Sequence, residues 1–324
     1  MNVLIAGAGV IGCYLAHVLC QAGQDVTLLA RGAWMRQLQG EGLTIRHELQ
    51  RHTTVDHPRV IDAIDGRHYD AVFAVMQHQQ MHAVLDDLAL ADTPVVVLVG
   101  NNMSAPEMEA RIMERTATPK TVLFGFQGTG GRRESGKVIV VRFGAGSMSI
   151  GGLHGDVQAP ARDTVSALFS GTDYRLTWVP DMDAWYKCHL ALILPAANLC
   201  YVLDCNLRRS TRAQRRQLLD AAREGYALLR EAGYAILPPG EDRYYEPGIK
   251  RAVMAAMIFV MAKTVIGDLA AADHCRHAVS EMEGLDAAFE ALRAQKRDFP
   301  MPNWDALRAA RPDWEALHRQ YERG

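Results

Sequence analysis

Residues 1–32, MNVLIAGAGVIGCYLAHVLCQAGQDVTLLARG, decide the fold. The apolar runs at 3–7 and 26–30 predict two strands, and the run between them has the apolar spacing of a helix. Three glycines stand at the first junction of strand and helix with the spacing G-x-G-x-x-G. A strand, a glycine-rich turn, a helix and a second strand together are typical of the Rossmann dinucleotide-binding unit.

Each glycine of this turn has its own expected role. Gly7 permits the tight turn, Gly9 lets the backbone approach a pyrophosphate, and Gly12 lets the helix pack closely on the strand. The phosphates then meet the free N–H groups and the positive end of the helix dipole. Glycine-rich turns also have purely structural uses, and here the flanking strands favour the cofactor. We assign the whole turn to it: Gly7, Ala8, Gly9, Val10, Ile11 and Gly12.

The residue at the end of the second strand distinguishes the two nicotinamide cofactors. In NAD-binding members of this fold an acidic residue there accepts hydrogen bonds from the ribose hydroxyls, whereas this chain has Arg31. A guanidinium at this place suits the extra phosphate of NADP. The alternative is a surface arginine without a partner. The expected cofactor is NADPH.

Further apolar runs continue the alternation of strands and helices. Their near-continuous apolar character is typical of a parallel sheet covered on both faces. We expect strands at 70–76, 93–100, 120–126 and 173–179. The runs at 136–143 and 147–152 lie so close together that they predict an antiparallel hairpin at one edge.

After Pro180 only long helical patterns remain. The predicted fold class is therefore α/β, a Rossmann-type dinucleotide-binding domain followed by an all-helical C-terminal domain. We place the NADP-binding domain at 1–180 and the helical, substrate-binding domain at 181–324.

The composition is that of an ordinary globular protein. Of 324 residues 49% are hydrophobic, and a net charge of −2 gives no electrostatic case for nucleic acid or an anionic membrane. The six cysteines are scattered, which suits a reducing compartment, and no run approaches the roughly 20 apolar residues of a membrane span. No signal-peptide pattern is present either, so we expect a cytoplasmic protein. A homodimer is compatible with the sequence, which is silent on oligomeric state.

Hydride transfer to a carbonyl puts negative charge on oxygen, so a nearby cationic acid is the natural complement. Lys187 fits because it lies on the first helix after the sheet domain, in an otherwise apolar stretch; the alternative is a lysine that reaches from that helix to solvent. Asn101 and Asn102 follow a buried strand, where asparagine also serves ordinary turns. By themselves Glu281 and Glu283 would pass as exposed helix residues.

The ordered set of motifs resembles the ketopantoate reductase family over nearly the whole chain. It comprises GAGVIG, a strand ending in LLAR, VGNNM, GGRRESGKV, a helix with W-x-K, and SEMEGLDAAF. The resemblance implies a Rossmann domain that binds NADPH and a helical domain that closes over 2-dehydropantoate, and it implies a place in pantothenate biosynthesis.

The resemblance also implies roles for individual residues. Lys187 matches the family's catalytic lysine, and Asn101 matches the asparagine that touches both ligands. Glu281 matches the glutamate near cofactor and substrate, and we count it as both catalytic and cofactor-binding. Gly131 and Gln80 match positions on the cofactor side.

Some family positions are changed in this chain. Gln77 stands where the family has a lysine, and Ala191 and Leu194 stand where it has asparagines. Asn198 is the candidate that takes over substrate binding, with Asp204 as a further possibility. We therefore expect a substrate with fewer polar groups than ketopantoate, or with a different polar pattern.

The leading hypothesis is NADPH-dependent reduction of a small 2-oxo acid, with the proton from Lys187. The alternatives are a related dehydrogenase that acts on another carbonyl or an imine, and a non-catalytic nucleotide-binding sensor. His78 and His82 have the spacing of an HxxxH metal site, but no glutamate follows the first histidine and we expect no metal. The glycine-rich stretch 126–133 lacks the lysine of a P-loop, and we interpret it as a turn.

Overall fold

The computed structural model describes residues 1–296 and 299–322. The chain forms two compact units, Met1–Met182 and a second from Asp183 onwards. All of its strands belong to the first unit, as far as the described residues go. They are β1 (Asn2–Ala6), β2 (Asp25–Leu29), β3 (Leu43–His47), β4 (His52–Asp56), β5 (Arg59–Ile61), β6 (Ala71–Val75), β7 (Val95–Val99), β8 (Thr121–Gln127), β9 (Gly130–Glu134), β10 (Lys137–Val141), β11 (Ser147–Gly151) and β12 (Arg175–Val179).

The helices of the first unit follow the strands as a Rossmann fold requires. They are α1 (Val10–Gln21), α2 (Gly32–Glu41), α3 (His78–Met81), α4 (Leu85–Leu90), α5 (Ala105–Arg115) and α6 (Ala159–Leu168). In its described part the second unit has helices and no strands. Its helices are α7 (Met182–Val202), α8 (Arg212–Glu231), α9 (Ile249–Lys263), α10 (Val265–Gly267), α11 (Asp273–His277), α12 (Val279–Ala294), α13 (Pro302–Ala310) and α14 (Trp314–Tyr321).

The main sheet has eight strands in the order β12-β11-β8-β7-β6-β1-β2-β5. All neighbours are parallel except β8 and β11, which are antiparallel. Every residue of β6 and of β7 is buried, as expected for strands with helices on both faces. The predicted α/β class, with a helical C-terminal region, is confirmed.

The predicted hairpin of 136–143 with 147–152 is wrong. β10 belongs to a second sheet of order β4-β3-β10-β9, whereas β11 joins the main sheet between β8 and β12. The hairpin lies one step earlier, between β9 and β10, because Ser135 and Gly136 have φ of 48° and 74°. Two adjacent positive φ angles are the geometry of a two-residue hairpin turn. The stretch 126–133, interpreted as a turn, therefore contains the start of β9.

In the second unit the longest helices begin with clear local signals. Thr211 caps α8 through a capping box, in which its side chain accepts from the Gln214 backbone and the Gln214 side chain accepts in return. α7 continues through Pro195 over 21 residues. No single helix of the described part is long and apolar enough to cross a bilayer; α9 with Val265–His277 passes only as a pair bent by 80°.

Candidate active site

The glycine turn between β1 and α1 has the geometry of an open cradle. Gly7 has φ of 123°, and a Cβ there would lie 2.1 Å from the carbonyl oxygen of Val75. At Gly12 a Cβ would lie 1.9 Å from the Gly7 carbonyl oxygen, so both positions exclude any side chain. A Cβ at Gly9, in contrast, would have no described heavy atom within 4 Å. Gly7 and Gly12 are therefore required by close backbone contacts, whereas Gly9 leaves space for a ligand at the N-terminus of α1.

Neighbouring side chains fix the turn in place. The Trp34 indole donates to the Ala8 carbonyl at 3.0 Å. The Gln127 amide donates to the Ile11 carbonyl at 3.3 Å. A Cβ at Gly131 would lie 3.1 Å from Val10 Cγ1, so β9 runs directly beside the start of α1. The structure thus brings Gly131 together with the glycine turn, although the two are far apart in sequence.

The other candidates of the first unit line one edge of the main sheet. Because β1, β2, β6 and β7 are parallel, their carboxyl ends lie together, and Gly7, Arg31, Gln77 and Asn101 each follow one of them. This is the edge at which open α/β sheets bind nucleotides. Gln80 lies in α3, which follows Gln77, and it is exposed.

Arg31 immediately precedes α2 and occupies its N-cap position with an extended backbone. Arg31 is exposed, and no hydrogen bond or ion pair joins its guanidinium to any residue that the structure describes. An arginine without a partner inside the protein is free to bind an anionic ligand group, and the fork of its donors matches a phosphate.

The two asparagines after β7 have different environments. Asn102 is buried, accepts from the Ser104 backbone at 2.8 Å and approaches the Met108 sulfur at 3.3 Å, so it has a structural role. Asn101 Oδ1 is buried without a hydrogen-bond partner among the described residues. A buried acceptor left unpaired is costly, which is expected where a ligand or water completes the bond.

Lys187 lies on α7 and is almost fully buried, at 6% exposed. Its ammonium bonds to the carboxylate of Asp183, one helical turn earlier, and lies 4.9 Å from the centre of the Tyr234 ring. The sequence alternative, a lysine reaching into solvent, does not describe this side chain. A buried ammonium held by one carboxylate and one aromatic face is placed rather than mobile.

Asn198 lies on the same face of α7 as Lys187, because eleven residues are about three turns. It is 2% exposed, and its Nδ2 is buried without a hydrogen-bond partner among the described residues. Ala191 and Leu194 lie between them and are fully packed: a Cβ at Gly225 of α8 would lie 3.1 Å from that of Ala191. Position 191 is thus a contact between two helices, and no empty space remains there for a rotated side chain.

Glu281 lies in the first turn of α12 and is 3% exposed. Its Oε2 is 3.1 Å from Nε2 of His274. Burial opposes protonation of His274, but the neighbouring carboxylate outweighs burial and raises the pKa of the imidazole. His189 is close enough to respond: burial, and then the charge of His274, lowers the pKa of His189 to about 3. His189 is therefore neutral at physiological pH.

Three of these neighbours were missed by reading the sequence. Asp183 could have been found, since it precedes Lys187 by four residues on a helix. His274 could not, because the break at Ala278 between α11 and α12 interrupts regular helical spacing with Glu281. Tyr234 approaches Lys187 from beyond the end of α8, which no local pattern reports.

The two histidines of the HxxxH pattern contact each other and a hydroxyl. The rings of His78 and His82 are 5.1 Å apart, and the Nε2 atoms lie 3.4 and 3.2 Å from the Ser104 hydroxyl. Within residues 1–296 and 299–322 no group of three or more histidine, cysteine or acidic side chains could hold a metal ion.

Comparison with known proteins indicates a family for the first half of the chain. Residues 3–155 match the family model described as ketopantoate reductase PanE/ApbA. A stretch of 88 residues is 31% identical to the "Uncharacterized oxidoreductase YkpB" of Bacillus subtilis (strain 168). That stretch spans 28% of the relative's length.

Solved structures resemble the whole chain. D-mandelate dehydrogenase, solved with NADH and anilino(oxo)acetate, has a TM-score of 0.73 at 17% identity, with 99% of this chain and 100% of that one covered. The 2-dehydropantoate 2-reductase from Geobacter metallireducens GS-15 has a TM-score of 0.71 at 18% identity, with 96% and 98% covered. At such identities the likeness shows a shared fold.

Proposed function

We propose that the chain, whose residues 3–155 match the ketopantoate reductase family model, is an NADPH-dependent reductase of a small 2-oxo acid. The observation that carries the proposal is Lys187. A lysine that is 6% exposed and held by Asp183 and Tyr234 is placed to give a proton to one defined position.

The glycine turn fits the cofactor. Gly9 leaves space at the N-terminus of α1, where backbone N–H groups suit a pyrophosphate. Arg31 would hold the 2′-phosphate, and Asn101, with its unpaired buried oxygen, would accept a hydrogen bond from a bound ligand. When bound, the nicotinamide supplies the hydride.

The chain's own residues would supply the proton and the orientation. The Lys187 ammonium would donate to the substrate oxygen that gains negative charge, and Asp183 and Tyr234 would keep it in position. The Asn198 amide would donate to a polar group of the substrate. Glu281, steadied by His274, would orient the bound ligands rather than exchange a proton.

The substrate we favour is a 2-oxo acid with an apolar side chain, and one observation supports this choice. Ala191 and Leu194 stand where the family resemblance implies asparagines, and both are packed in the interior, so neither position offers a side-chain donor to a substrate hydroxyl. The structural likeness to D-mandelate dehydrogenase is compatible with this choice, because mandelate is a 2-hydroxy acid with an apolar side chain.

The test is the Lys187→Ala variant, measured beside Lys250→Ala. Both lysines lie 4.9 Å from a tyrosine ring, but Lys250 is exposed. Loss of a general acid should lower turnover about 10²–10⁴-fold for Lys187→Ala, with NADPH affinity nearly unchanged. The Lys250 variant should behave as the wild type. Normal turnover by Lys187→Ala would show that the lysine only stabilises the helix.

A further inference from the structure

The hairpin of β9 and β10 packs against both α1 and α2. At one end of β9, a Cβ on Gly131 would lie 3.1 Å from Val10 Cγ1, in the first turn of α1. At the tip of the hairpin, the Gly136 carbonyl accepts a hydrogen bond from the Gln37 side chain of α2 at 3.1 Å. The side chains on this face of β9 therefore lie near the N-termini of two helices.

Arg133 lies on this face of β9. It follows Gly131 by two residues, and alternate side chains of a strand point to the same side. Its guanidinium carbon lies 5.4 Å from the centre of the Trp34 ring, in the first turn of α2. Burial raises the pKa of the Cys13 thiol to about 12, and the charge of Arg133 opposes this rise, so Arg133 is also close to the first turn of α1.

The charge of Arg133 is not neutralised within the described part of the chain. Arg133 is exposed, and no hydrogen bond or ion pair joins its guanidinium to a residue that the structure describes. Its neighbour Arg132, on the other face of β9, is paired with Glu134 at 2.8 Å. Contact with an aromatic face leaves the N–H donors of a guanidinium unused, so Arg133 can donate to an anion.

The N-terminus of α2 is the nearby feature that suits an anion. Arg31 occupies the N-cap, no side chain caps the first backbone N–H groups, and the first turn holds no acidic residue. Free N–H groups and the positive end of the helix dipole attract a phosphate. Both arginines stand at this helix end, Arg31 at the N-cap position and Arg133 over the third residue of the helix, Trp34.

We propose that Arg133 is a second ligand of the 2′-phosphate of NADPH, beside Arg31, and that Trp34 positions it. This inference rests on the proposed function, in which the chain binds NADPH. A phosphate monoester carries close to two negative charges at neutral pH, so two guanidiniums neutralise it more completely than one. NADH has a hydroxyl in place of this phosphate, and Arg133 would therefore help to select between the two cofactors.

Trp34 connects Arg133 to the glycine turn. Its indole N–H donates to the Ala8 carbonyl at 3.0 Å, and its ring contacts the guanidinium of Arg133. The hydrogen bond fixes the ring, and contact with a fixed ring reduces the number of rotamers that the arginine can adopt. Trp34 thus acts on the phosphate through Arg133, as a positioning residue.

The first experiment measures the dissociation constants of NADPH and NADH by isothermal titration calorimetry, with no substrate present. Arg133→Ala should weaken NADPH about tenfold, the low end for a charge-assisted pair because the arginine is exposed, and it should leave NADH unchanged. The matched control is Arg36→Ala. Arg36 is an exposed arginine of α2 that lies two residues after Trp34, on another side of the helix, and its loss should change neither constant.

The variants Trp34→Phe and Trp34→Leu separate positioning from packing. Both lose the hydrogen bond to Ala8, so both should bind the two cofactors more weakly. Phenylalanine keeps an aromatic face and should retain the preference for NADPH over NADH, whereas leucine should reduce that preference several-fold. If Trp34→Leu lowers both affinities in the same proportion, the role of Trp34 is only structural and its part of the proposal is wrong.

The remaining outcomes separate this proposal from the proposed function. A wild type that prefers NADPH, together with an Arg133→Ala variant of equal preference, would overturn the role of Arg133 and leave the proposed function intact. Equal weakening of both cofactors in Arg133→Ala would also overturn it, and would assign Arg133 to the pyrophosphate that they share. A wild type that binds NADPH no better than NADH would refute the proposed cofactor, and the role of Arg133 with it.

Discussion

Replacing His274 with glutamine tests how Glu281 is held. In the wild type Nε2 of His274 lies 3.1 Å from Oε2 of Glu281, and this contact raises the pKa of His274 although burial opposes it. His189, the other group facing His274, has its pKa lowered to about 3 by burial and by the charge of His274, so it stays neutral. Glutamine keeps the size and a donor but cannot carry the charge.

The sign and size of the effect follow from these positions. A histidine whose pKa is raised by folding contributes its full stabilisation at pH values below its unfolded-state pKa of about 6.5. This contribution is lost as the pH rises through its folded-state pKa. Glu281 is 3% exposed, but the side chain of His274 is 39% exposed and solvent screens it. We therefore expect about 0.5–1 kcal/mol, well below the 3–5 kcal/mol for breaking a fully buried pair.

The assay is urea unfolding of wild type and His274→Gln at pH 5.5, 7.0 and 8.5. The wild type should be more stable than the variant at pH 5.5, and the difference should shrink towards pH 8.5. His277→Gln, an exposed histidine of the same helix, is the control and should show no such trend. A difference in stability that does not depend on pH would refute the ion pair. If Glu281→Gln and the double variant Glu281→Gln/His274→Gln differ with the same pH trend, Glu281 is not the partner of His274.

The other predictions concern the cofactor, the substrate and acid stability. Arg31→Ala should weaken NADPH about ten- to hundredfold and leave NADH unchanged in a fluorescence titration; equal loss for both cofactors would contradict the assignment. Because Ala191 and Leu194 cannot hydrogen-bond through their side chains, kcat/KM should be higher for the ketopantoate analogue that lacks the hydroxyl, and a tenfold preference for ketopantoate would show the reverse. Burial lowers the pKa of His47 to about 3, so stability should fall between pH 6.5 and 3 by up to about 1.4 kcal/mol per pH unit. His47→Gln should flatten that slope in thermal melts across this range, and an unchanged slope would assign it to other groups.

The sequence predicted the architecture because its signals are local. The buried runs that became β6 and β7 are continuous and apolar, and the glycine spacing at Gly7 needs only the strand before it and the helix after it. The second sheet was missed because β3 and β4 are short and partly polar, and because β10 pairs with β3 across about 90 residues. Such pairing depends on tertiary contacts, which periodicity does not report.

For the candidate site, too, the sequence predicted some features and missed those that depend on tertiary contacts. The residue pattern alone could not separate Asn101, with its unpaired oxygen, from Asn102, which closes a turn; only the family resemblance pointed to Asn101. It also counted position 191 among the changed substrate positions, whereas Ala191 packs against Gly225 of α8. Both distinctions depend on what lies opposite a side chain.

The most direct test of the central claim is NADPH oxidation by the unmodified protein, followed at 340 nm with a panel of 2-oxo acids in excess. The account predicts many turnovers per protein molecule with at least one apolar branched 2-oxo acid, and slower oxidation of NADH. Tight NADPH binding without turnover on any member of the panel would contradict it and favour a nucleotide-binding sensor.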